Sequence, residues 1–254
     1  MKITIATLVC WAIFSINGFG RASDTTMNKV KVVFTYSKNI FPTDWQGGTI
    51  NASGEGMNAS EIVRTKKVLT VALSKYPEAL MVANLKAVFF LKDMSFYGVG
   101  YGGTNSTSEL YLTNNGTDKG YTDKYVEQTF HHEFSSILLR NHITLLDTAG
   151  WRKASNDFSY TDSLDGVGAI IKNEASQEID TILCKRGILT QYALSGMEND
   201  VNTFAQNLFK PENAFWSVVA KYPSIHKKTL MLINFYHKLN PLFCEAYFKK
   251  FAGK

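Results

Sequence analysis

The 254-residue chain has little of what usually builds covalent staples or metal sites: three cysteines, five histidines and five prolines. Cys10 lies in the N-terminal apolar run, which leaves only Cys184 and Cys244 beyond it. Two cysteines exclude a disulfide-dense scaffold and an all-cysteine zinc site. They could form one bridge or remain two thiols, and their spacing does not decide between these. No apolar run after the N-terminal one approaches the roughly 20 residues that a membrane-spanning helix needs. Charge of one sign is also scarce. The 27 basic residues face 22 acidic ones, and the basic residues are dispersed apart from Lys227-Lys228 and Lys249-Lys250. That is a solvated surface and argues against a nucleic-acid partner. No internal repeat or low-complexity linker interrupts the chain.

What is present starts at the N-terminus. Lys2 precedes an almost unbroken apolar stretch from Ile3 to Ile16, and small residues follow at Gly18, Gly20, Ala22 and Ser23. This order predicts a cleavable signal peptide over residues 1–22, and hence a secreted or periplasmic protein. Cleavage is expected near Ala22–Ser23, with Gly20–Arg21 as the other choice. Cys10 sits inside the apolar run behind a bulky Val9, which argues against a lipid anchor. Without Lys2 and Arg21, the remainder has 25 basic and 22 acidic residues, enough chain for one large domain over 23–254. Asn-x-Ser/Thr sequons begin at Asn51, Asn58, Asn105 and Asn115. They matter only where the host glycosylates exported chains.

Val30 to Tyr36 is β-branched and nearly continuous in apolar character, and reads as a strand. So do Lys86 to Leu91 and Glu109 to Thr113. Between the last two lies the glycine-rich segment Tyr97 to Thr104, read as a loop. A helix is expected after the polar cap at Asn58 and closes near Tyr76-Pro77. Val126, Phe130, Phe134, Ile137 and Leu138 recur at three- and four-residue steps, so a core-packed helix is expected over about Asp123 to Arg140. Another is expected around Glu174 to Lys185, and a series over Glu198 to Phe251 broken near Pro211, Pro223 and Pro241. Strands over 28–115 followed by helices over 122–254 predict an α+β fold.

The chemical signal is Phe130-His131-His132-Glu133-Phe134-Ser135-Ser136. Zinc peptidases commonly carry two histidines one helical turn apart, with a glutamate after the first. Residues i and i+4 share a helix face, so both imidazoles reach one ion while the glutamate takes a proton from bound water. His132-Glu133 fits, but the position one turn on is Ser136, and counting from His131 gives Ser135. A neutral hydroxyl is a poor, short substitute for an imidazole. His142, ten residues after His132, is the other available nitrogen donor if Asn141 supplies a left-handed turn where such enzymes place glycine.

This helix is similar to that of the exported bacterial zinc-binding metallopeptidase family, which is more distantly like the anthrax-lethal-factor type of zincin. The segment Gly187-Ile188-Leu189-Thr190-Gln191-Tyr192-Ala193 resembles a second motif of that family, and Glu198 to Gln206 loosely resembles a third. Close matches cover about thirty residues. The resemblance implies a zincin-like fold: a small twisted, mainly N-terminal sheet, an active-site helix and a helical C-terminal half. It implies His132 as a Zn2+ ligand, Glu133 as general base, Tyr192 as donor to the oxyanion, and Glu198 or Asp200 completing the metal shell. The family's helix acid falls near Asn199 here, so the acid must come from a neighbour. Glu109 to Thr113 would be the edge strand along which a peptide substrate lies.

Three functions are compatible with these residues. One is a zinc-dependent peptidase with an unusual shell. The second is a degenerate relative that binds peptides or an envelope partner without cutting. The third is a glycan-binding module, suggested by Trp45 and Trp151.

Overall fold

The computed structural model describes residues 24–155, 158, 160 and 166–252. The expected signal peptide lies outside the described residues. The sheet is built from β1 (Thr25–Met27), β2 (Val30–Val33), β3 (Ser53–Gly56), β4 (Ala87–Phe96), β5 (Val99–Gly100), β6 (Gly103–Asn105) and β7 (Glu109–Thr113). Its main path is β1-β2-β4-β7-β6, with β3 and β5 pairing to the far half of β4. β2, β4 and β7 run parallel, while β6 is antiparallel to β7. The central strand β4 opens Ala87-Val88-Phe89-Phe90-Leu91, all buried, because this stretch is covered on both faces.

Two helices, α1 (Ala59–Ser74) and α2 (Glu78–Asn84), interrupt the strands, and α3 (Asp123–Asn141) follows them. Then come α4 (Thr148–Lys153), α5 (Gly166–Ile171), α6 (Thr181–Cys184), α7 (Met197–Phe209), α8 (Phe215–Lys221), α9 (Pro223–Leu239) and α10 (Glu245–Lys249). The larger core lies between the sheet and these helices, and includes Phe90, Leu112, Phe134, Phe204 and Phe209. A smaller aromatic core with Phe41, Phe89, Phe96 and Tyr111 covers the opposite face. The fold is thus α+β with a mixed sheet and a helical C-terminal half. No helix among the described residues is long and apolar enough to cross a membrane.

The helix α3 runs through the interior. Thr122 caps it by accepting a hydrogen bond from the Tyr125 N–H at 3.2 Å. Most of its length is buried, including Glu127, His131, His132, Glu133, Ser135 and Ser136. It packs most heavily on α7, with α1 and β6 as further neighbours. So many polar groups inside a central helix demand partners, and those partners define the site.

Several expectations need correction. Glu109 to Thr113 is β7, an internal strand, and the sheet edge is β6, which begins inside the segment read as a loop. Glycine has no side chain to alternate between faces, so Gly100 to Gly103 carries no strand period. The helix expected over 174–185 shrinks to α6. Asn173, in left-handed backbone at φ 58°, follows α5, and Asp180 starts α6 by accepting from the Ile182 and Leu183 N–H groups. Asn141 is the last helical residue of α3, with His142 as the cap at φ −134°. Trp151 is fully buried and cannot meet a glycan. Cys184 is buried, Cys244 is exposed, and both are free thiols.

Candidate functional site

Adjacent residues on a helix point about 100° apart, so the two histidines of α3 part company. His131 turns into the core, where its Nδ1 lies 2.9 Å from the Tyr76 hydroxyl and its Nε2 3.6 Å from the Glu127 carboxylate. His132 and Glu133 face β6 and α7 instead. The His132 Nδ1–H donates to Gln206 Oε1 at 2.8 Å, and the Tyr192 ring lies 5.8 Å from the imidazole, centroid to centroid. Burial lowers the His132 pKa to about 4, while Gln206 and Asn199 pull it the other way. The ring is therefore neutral at physiological pH.

Glu133 is also buried. Burial raises its pKa to about 7, and nearby Glu198 adds to the rise, against the Asn105 amide and Arg140. The Asn105 Nδ2 donates to Glu133 Oε2 at 2.5 Å. Helical steps of four carry this face on to Ser136 and Arg140. The Ser136 hydroxyl donates to Glu198 Oε1 at 2.6 Å and accepts from Asn202 Nδ2 at 2.6 Å. Arg140 meets the same Glu198 oxygen at 2.9 Å and reaches across to β6, donating to Asn105 Oδ1 and to the Ser106 carbonyl at 3.0 Å. A polar chain thus ties α3, α7 and β6 together.

The strand β6 lies close upon α3 because it is glycine-rich there. A Cβ at Gly103 would sit 2.6 Å from Thr129 Cγ2 and 2.8 Å from Glu133 Oε1. Two adjoining cavities, about 280 and 300 Å³, share Gly103, His132, Glu133 and Tyr192. Together they form a groove along β6. One end is walled by Trp45, Ile50, Phe96, Tyr97 and Tyr101, with Arg140, Glu198 and Asn199 below. The other is lined by Tyr125, Gln128, Thr129, Gln177 and Gln206.

The fold thus brings together four of the six residues singled out in the sequence: His132, Glu133, Tyr192 and Glu198. The other two lie elsewhere. His142 ends α3, about 15 Å along the axis from His132 at 1.5 Å per residue, and its Nε2 is 3.1 Å from Asn84 Oδ1. Asp200 is fully buried, bonded to Lys228 Nζ at 2.7 Å, to Trp151 Nε1 at 2.8 Å and to the Tyr160 hydroxyl. A turn of 200° separates it from Glu198, so the two carboxylates of α7 cannot serve one ion. Sequence reasoning missed Asn105, Arg140 and Gln206. Of these only Arg140 left a signal, the four-residue spacing His132, Ser136, Arg140.

A zinc ion does not fit this donor set. Among the described residues His132 is the only imidazole lining the groove, the Ser136 hydroxyl is spent on Glu198 and Asn202, and Glu198 already answers Arg140. Asn199 offers a neutral amide. Among the described residues no group of three His, Cys, Asp or Glu side chains is placed to hold a metal. The chain matches no family model, no curated protein and no solved structure.

Proposed function

We propose that this chain is a zincin-like relative of the exported bacterial zinc-binding metallopeptidases, and that it binds an extended peptide along β6 without cleaving it. The observation that carries this reading is the antiparallel edge strand β6, which among the described residues pairs only with β7 and lies over α3 beside the groove. Thr113 N–H donates to the Gly102 carbonyl and Ser106 N–H to the Glu109 carbonyl, both at 2.9 Å. Residues 102 and 106 therefore turn their backbone groups to β7. By the two-residue period, so does Thr104, while Gly103 and Asn105 present theirs to the open side. An added peptide strand gains main-chain hydrogen bonds there.

At the positions where a zinc peptidase would hold the ion, Ser136 and Glu198 bond each other and are further engaged by Asn202 and Arg140, so the reading contains no hydrolytic step. A hydrolytic reading is favoured by one observation, the convergence of Glu133, His132 and Tyr192 on the same groove. The two separate cleanly when purified chain is mixed with capped, uncharged peptides. Binding is followed by tryptophan fluorescence and the peptides are then weighed by mass spectrometry. Saturable binding with intact peptides is expected. Peptide cleavage that disappears in Glu133→Gln would establish the hydrolytic reading instead, and absence of binding would remove the docking reading.

A further inference from the structure

We infer that the groove selects its peptide by one large apolar side chain, held opposite Thr104 against Trp45, Phe96 and Tyr97, with small uncharged residues on either side. This rests on the peptide-docking reading and sharpens it to a register. If Gly103 and Asn105 make the outward hydrogen bonds, the peptide residue between their two partners lies across from Thr104. Residues opposite one another in neighbouring strands point to the same face. The positions flanking it share the face of Gly103 and Asn105, which is the α3 face. The Gly103 Cβ direction meets Thr129 and Glu133, and the Asn105 amide bonds Glu133.

Thr104 belongs to the other face. Its partner in β7 is Tyr111, whose ring stacks on Phe89 at 5.0 Å and lies 5.6 Å from Trp45. Trp45 meets Phe96 edge-on at 5.6 Å, and Phe96 meets Tyr101 at 5.0 Å. The middle peptide side chain is therefore directed to an aromatic wall.

Tyr97 supplies the second, independent observation. It and Gly98 form the two-residue turn between β4 and β5, at φ 56° and 76°. This turn favours Asn-Gly, and a bulky aromatic in left-handed backbone is strained. Yet Tyr97 is 41% exposed at the mouth of the groove, so packing within the fold does not account for it. Burial completes the choice of occupant. Arg140 is answered by Glu198, and Glu133 is buried and bonded to the Asn105 amide, so a charged flanking side chain would be desolvated beside groups already engaged.

The test uses the full mature chain and short capped peptides with Phe, Ala or Lys at the centre and Ser around it, titrated by calorimetry. Phe at the centre is expected to bind about tenfold tighter than Ala, and Lys more weakly still. Tyr97→Gly relieves the strained turn, so its melting temperature holds or rises while the Phe preference falls; this separates lost recognition from lost folding. Methylating the peptide N–H groups that face β6 should weaken binding whatever the central residue. Equal affinity for all three centres, or an unchanged preference in Tyr97→Gly, would overturn the inference and leave peptide docking standing. No binding of any peptide would overturn both.

Discussion

Glu198 and Asp200 stand two residues apart on α7 and end in opposite worlds. Asp200 is sealed with Lys228, each with no side-chain exposure, and Trp151, Tyr160 and the Gly187 carbonyl complete the cluster. Glu198 is open, about 40% exposed, and shares Arg140 with the groove. A carboxylate on one face of α7 thus fastens it to α9, while a carboxylate on the opposite face lines the groove beside Arg140. Pairing and burial, not the presence of a carboxylate, separate a sealed structural cluster from one that lines an open groove.

The largest expected effect breaks that contrast directly. Lys228→Met leaves Asp200 buried without its cation, which should cost about 3–5 kcal/mol, read by denaturant unfolding. Adding Asp200→Leu should recover much of the loss. Glu198→Gln, at a half-exposed pair, should cost less than about 1 kcal/mol.

A smaller effect sharpens the comparison through pH. The Glu133 pKa is about 7 in the folded chain and its unfolded value lies near 4.5, so the native state binds more protons between them. Its contribution to stability is full below about pH 4.5 and lost as pH rises through 7, about 3 kcal/mol in all. His131 and His132, both lowered to about 4 by burial, act in the opposite sense, their contribution being lost as pH falls from about 6.5 through 4. The informative quantity is therefore the difference between the chain and Glu133→Gln, whose stability should gain on the parent as pH rises from 5 to 8. A constant difference would mean that Glu133 is not held in its acid form.

A smaller effect than that of Glu133 concerns the edge strand. Gly103→Ala forces a methyl group against Thr129 and Glu133 and should cost about 1–2 kcal/mol, with weaker peptide binding. Gly100→Ala, with nothing within 4 Å of its Cβ, should change little.

Much of α3 was legible in the sequence because Thr122 and the apolar spacing of Val126, Phe130, Phe134 and Ile137 are local signals. His132, Glu133, Tyr192 and Glu198 line one groove. Asp200 and His142 could not be placed, because which side of a helix faces the groove depends on what packs against it. The edge strand was hidden in glycines, whose lack of side chains lets β6 lie against α3 and also erases the strand pattern. Arg140 crossing to Asn105 joins positions 35 apart in the chain, beyond any periodicity.

The central claim is that the polar floor replaces a metal shell. Elemental analysis of the chain purified without chelator, loaded with zinc and then dialysed, tests this most directly. Well under one zinc per chain is expected, unchanged by His132→Ala. One tightly held zinc per chain that disappears with His132→Ala would contradict it.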